Sequence, residues 1–166
     1  MTQLLAAIGA TAAALIEASL VPYLGIGDAH PHPVVVFGVI CTIATSLEAG
    51  LIWAIVGGIM IDSLLSRPLG GSSVALVLVV GATLVLARSF IRIRPLAPVI
   101  AVPVMSLLYS VTLLTLLATI RPPLSVANPL AILMPGAAYD AVLGVLFGPL
   151  VVSIRDRYRP LERVDW

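Results

Sequence analysis

Residues 49–73 read AGLIWAIVGGIMIDSLLSRPLGGSS. From Ala49 to Ser66 the only polar side chains are Asp62, Ser63 and Ser66. At about 1.5 Å per helical residue, such a run crosses most of a hydrocarbon core about 30 Å thick. Arg67-Pro68 ends it, because proline cannot continue a helix. Gly70-Gly71 then permits positive φ before a new helix, which Ser72 or Ser73 can cap. Gly50, Ala54, Gly58, Asp62 and Ser66 recur every four residues and therefore share one helical face. This stretch predicts a membrane helix, a tight turn and the start of another helix. The chain reads as an all-α helical bundle.

The same reading extends in both directions. Apolar spans are expected over 3–23, 33–47, 49–66, 72–90, 96–120 and 130–154, followed by a tail, 155–166. Together they form one transmembrane domain over residues 1–166. The boundary between the second and third spans is placed at a tight turn near Glu48 and Gly50. Fusion of these two into a re-entrant piece would leave five spans. Composition agrees with a membrane class: of 166 residues 60% are hydrophobic and 10% charged, with a mean hydropathy of +1.15. A soluble domain carries about 25% charged residues. The net charge of +1 gives no electrostatic footprint for nucleic acid. Every basic residue is Arg, so Schiff-base or phosphate-loop lysine chemistry is excluded, and the single Cys41 excludes an internal disulfide. A cleaved signal peptide fits the first segment poorly, since no basic residue precedes it and Glu17 lies within it. With six spans, Arg88, Arg92, Arg94, Arg155, Arg157, Arg159 and Arg163 share the side of the termini, against Arg67 and Arg121 opposite. That asymmetry places both termini in the cytoplasm.

Ionisable side chains within spans are costly and need a reason. Glu17, Asp62 and Asp140 fall at a similar outer depth. Three roles compete for them: capping or hydrogen bonding within the bundle, with Arg67 or Arg121 as ion partners; contact with a partner protein; and a proton or cation path. Small residues also align at Ala10, Ala14 and Ala18 in the first span, and at Gly136, Asp140, Gly144 and Gly148 in the sixth. Such faces let helices approach closely, inside the bundle or against a partner. His30-Pro31-His32-Pro33 reads as a solvated outer turn, with a weak two-histidine metal site as the alternative. Cys41 reads as a small core residue, and Tyr23, Trp53 and Tyr158 as interfacial rings. The mixed-charge tail reads as a solvated helix end or a docking segment. No catalytic constellation, metal motif or cofactor loop is present in the sequence.

The third span and its turn carry a resemblance. Gly57-Gly58-Ile59-Met60-Ile61-Asp62, then Ser66-Arg67-Pro68-Leu69-Gly70 and Ser73-Val74-Ala75-Leu76, resemble the MreD family of rod-shape-determining membrane proteins. Gly58 to Asp62 and Leu69-Gly70 match that family's Gly-x-x-x-Asp stretch and Leu-Gly turn in order and spacing. Gly144-Val145-Leu146-Phe147-Gly148-Pro149, before an Arg-rich end, is similar too. The resemblance implies a bundle similar to the substrate-binding subunit of energy-coupling-factor transporters. It implies a non-enzymatic scaffold, without cofactor, in the bacterial cytoplasmic (inner) membrane. An MreC-like bitopic membrane protein would be its partner, with MreB filaments, RodA and a class B penicillin-binding protein further off. Asp62 and Pro68-Leu69-Gly70 would shape the outer end. The faces through Ala10, Ala14, Ala18 and through Gly50, Ala54, Gly58 would meet a partner. A vitamin- or metal-ion-binding transporter subunit is the alternative, with Glu17, Asp62 and Asp140 around a ligand cavity. A proton-coupled carrier is a third.

Overall fold

The computed structural model describes residues 2–24, 30–89, 96–120 and 129–158. These form six α-helices: α1 (Thr2–Leu24), α2 (Pro33–Ala44), α3 (Leu47–Leu64), α4 (Gly71–Ser89), α5 (Ala97–Ile120) and α6 (Pro129–Tyr158). Four are long and apolar enough to cross a membrane: Thr2–Val21, Leu47–Leu64, Ala97–Ile120 and Leu133–Arg155. Aliphatic side chains such as Leu4, Ile8, Ile59, Val85, Val104 and Leu146 remain exposed around the bundle. Helices apolar on the outward face as well as the inward one suit lipid rather than water. Arg88 has no described side chain, and Arg92, Arg94, Arg121, Arg159 and Arg163 lie outside the described residues.

α2 departs most from expectation. Its 12 residues reach only about 18 Å, too short to span a bilayer. It instead fills the middle of the bundle and packs on all five other helices. The neighbours form an arc in the order α1, α3, α4, α5, α6, and among the described residues α1 and α6 do not meet. Val34, Val35, Val36, Val39 and Ile40 are buried accordingly. An unbroken apolar run looks the same in sequence whether lipid or protein surrounds it.

The turn after α2 falls at Thr45-Ser46, not at Glu48-Gly50. Ser46 is the N-cap of α3, its hydroxyl accepting the Ala49 N–H at 3.4 Å. Glu48 thus lies in the first turn, where a carboxylate suits the helix dipole. The predicted turn at 65–70 is present. Ser66 and Gly70 both take positive φ, +53° and +95°. α5 runs through Pro103, and α6 through Pro135 and Pro149.

Trp53 is a core residue rather than an interfacial ring. Its indole N–H donates to the Val34 carbonyl at 2.9 Å, and its side chain is 7% exposed. Gly9 and Gly38 make room for it: a Cβ on either would approach the ring to 2.8 or 2.9 Å. Tyr23, by contrast, is exposed.

The small-residue faces are used inside the chain. α1 packs on α3, with Ala10 and Ala14 fully buried and Ala18 partly so. Ala10 lies within contact of where a Gly57 side chain would stand. Gly50 faces Thr42 and Val80, Gly58 faces the Ser73 backbone, and Ala54 is fully buried. Gly144 and Gly148 face Val102 and Pro98 of α5. Of the two readings of the Ala10 and Gly50 faces, close backbone approach within the bundle is the one these contacts use.

Candidate functional site

One end of the bundle gathers the buried polar groups. α2 begins there with Pro33, which has no N–H to satisfy. Val35 and Val36 donate back to the His32 carbonyl at 3.0 and 3.1 Å. Val34 is left as the orphan donor of the first turn. The Glu17 carboxylate, from α1, accepts it at 3.0 Å. Two residues earlier, the His32 N–H donates to Asp140 Oδ1 at 2.7 Å. Asp140 belongs to α6. Its Oδ2 accepts His32 Nδ1 at 3.1 Å and also the Ser106 hydroxyl of α5. Three helices thus hold the start of the central one.

α4 has a similar arrangement. Asp62 Oδ2 accepts the Gly70 N–H at 2.9 Å and the Ser72 N–H at 3.1 Å. The cap of α4 is therefore Asp62 and not Ser72 or Ser73. Ser72 Oγ accepts the Tyr109 hydroxyl at 3.2 Å, and Ser73 donates to the Ile55 carbonyl at 3.3 Å. Pro68 and Leu69 lie on the loop that these bonds close, with Leu69 exposed. The rings of His32 and Tyr109 stand edge to face with centroids 5.9 Å apart. The two capping systems are joined through that contact. Asp62, Asp140 and Glu17 are all buried, and each is occupied by backbone donors. Isolated charges at this depth would be far more costly than charges that satisfy helix N-termini.

His32 is the residue that sequence reading missed. It is not a solvated turn histidine: its side chain is 28% exposed and bonded to Asp140. Burial alone disfavours its charged form. The Asp140 hydrogen bond and carboxylate, with Glu17 beyond, outweigh that and hold its pKa above the ordinary histidine value. The partner stands 108 residues away, so no local spacing announces it.

A cavity of about 190 Å³ opens beside this network, lined by His30, His32, Arg67, Tyr109, Ser110 and Gly136 among others. Arg67 brings a cation to its wall but makes no ion pair among the described residues. Arg121 falls outside the described residues. Among the described residues no three His, Cys, Asp or Glu side chains stand together to hold a metal ion. No family model, no curated protein and no solved structure matches the chain.

Proposed function

We propose that the chain is a non-enzymatic membrane scaffold of the MreD type. In that role it would hold an MreC-like bitopic protein and help couple MreB filaments to RodA, a class B penicillin-binding protein and peptidoglycan synthesis. One observation carries the reading. Each of the three buried carboxylates closes the start of a helix, so the polar groups serve architecture. A proton path needs groups that release and regain their protons. Here the carboxyl oxygens are already committed to backbone donors. The motif resemblance at Gly58–Asp62 and Leu69-Gly70 supplies the family. With the Ala10 and Gly50 faces filled internally, a partner would meet the exposed apolar sides of the helices instead.

A second reading has a specific observation behind it. The cavity at His30, His32, Arg67 and Tyr109 suits a small anionic group, such as the carboxylate of a vitamin held by a transporter's binding subunit; its Arg67 suits a metal ion poorly. Affinity purification from native membranes in mild detergent separates the two. Recovery of an MreC-like protein with RodA or a transpeptidase supports the scaffold. Recovery of an ATPase pair with a coupling membrane protein overturns it in favour of transport.

A further inference from the structure

The end of the bundle opposite the carboxylates holds a different cavity. Because α1 and α6 do not meet, one stripe of α2 is left partly uncovered: Phe37, Cys41 and Thr45, four residues apart and on one face. Trp53 and α6 flank that stripe, and the resulting groove has a volume of about 490 Å³. Its walls are almost wholly apolar. Thr45 satisfies itself on the Cys41 carbonyl at 2.7 Å. Phe37 packs at a tilt against Phe147, with centroids 5.5 Å apart, and marks one end. Arg155, two turns further along α6, stands at the other. Its Nε is buried and has no hydrogen-bond partner, the one such side-chain nitrogen or oxygen among the described residues. A buried donor without an acceptor is costly, and a guanidinium selects phosphate oxygens.

We propose that this groove seats an acyl chain of an anionic phospholipid, with the headgroup phosphate on Arg155. The uncovered stripe from Phe37 to Thr45 is only about 12 Å long. That suits the upper part of an acyl chain and is less than half of what a membrane-spanning helix needs. The charge also fits: Arg157, exposed, adds a second cation in the same last turn, and no described acidic side chain lines the groove. The site is independent of the scaffold reading.

The test uses the full chain in mild detergent, with native mass spectrometry and thermal melting in added phosphatidylglycerol, phosphatidylcholine or inorganic phosphate. Phosphatidylglycerol is expected to be retained about tenfold better than phosphatidylcholine, which offers the same phosphate but adds a choline cation that Arg155 and Arg157 repel. It is also expected to raise the melting temperature. Arg155→Gln should abolish that preference while Arg155→Lys keeps part of it. Cys41→Phe, which fills the groove, should lower retention of both lipids with helicity unchanged. Val151→Phe repeats that test from α6. Four outcomes would overturn the site: equal retention of the two lipids; an unchanged preference in Arg155→Gln; equal stabilisation by inorganic phosphate; or lipid selectivity that appears only after removal of residues 159–166. The last would mean that the chain's own tail fills the groove.

Discussion

α2 and α4 both begin inside the bundle on carboxylate caps, but they recruit those caps over very different distances. Asp62 reaches Gly70 and Ser72, eight and ten residues along the same turn. Glu17 and Asp140 reach Val34 and His32 from 17 and 108 residues away, in two other helices. The local cap can form as soon as α3 and α4 fold back on one another. The remote caps require α1, α2, α5 and α6 to be in place together. A helix of 12 residues is marginal by itself, and α2 therefore depends on its neighbours more than α4 does.

The comparison is broken most strongly at Asp140. Asp140→Ala strands the His32 N–H, the His32 ring and the Ser106 hydroxyl at once. A loss of about 3–5 kcal/mol is expected, the range for removing one partner of a buried ionic pair. Unfolding in mixed detergent micelles would register it, and hydrogen exchange would show α2 opening first. Asp62→Ala leaves two backbone donors unpaired and should cost about 1–3 kcal/mol. Its exchange should rise around residues 65–74 while α2 stays protected. Equal opening of α2 in both variants would erase the distinction between local and remote caps. Glu17→Gln keeps an acceptor for Val34 and should cost about 1 kcal/mol or less.

The smallest effect is one of pH. His32 faces Asp140, Glu17, Arg67 and Tyr109. Its folded pKa lies above the ordinary 6.5, so protonated His32 stabilises the fold. That contribution is complete below about pH 6.5 and fades as pH rises through the raised folded value. Melting temperature should therefore fall on the alkaline side, and His32→Gln should flatten that slope. A slope unchanged in His32→Gln would assign it to another group.

Much of this was legible in the sequence, and the difference between the two caps explains what was not. The six apolar segments, the break at Arg67-Pro68 and positive φ at Gly70 all follow from short-range chemistry. The cost of burying Glu17, Asp62 and Asp140 was legible as well, because ionisable residues within spans demand partners. The identity of those partners was not. His32 gains its role from Asp140, and Trp53 becomes a core ring because Gly9 and Gly38 vacate space for it. The Ala10 and Gly50 stripes announced close packing without saying against what. The status of α2 was hidden for a similar reason, since a valine-rich run can face lipid or protein.

The central claim is that the buried carboxylates act as hydrogen-bond acceptors for helix ends, not as titrating groups. A triple variant, Glu17→Gln, Asp62→Asn and Asp140→Asn, keeps an acceptor oxygen at each cap and removes every titration. Under the proposed scaffold role, its complementation of a strain lacking the protein, scored for rod shape at matched membrane levels, is the direct measurement. The account predicts retained rod shape and the same co-purified partners, despite a lower melting temperature. A folded, membrane-inserted variant that has lost rod shape would contradict it and return the carboxylates to proton or cation chemistry.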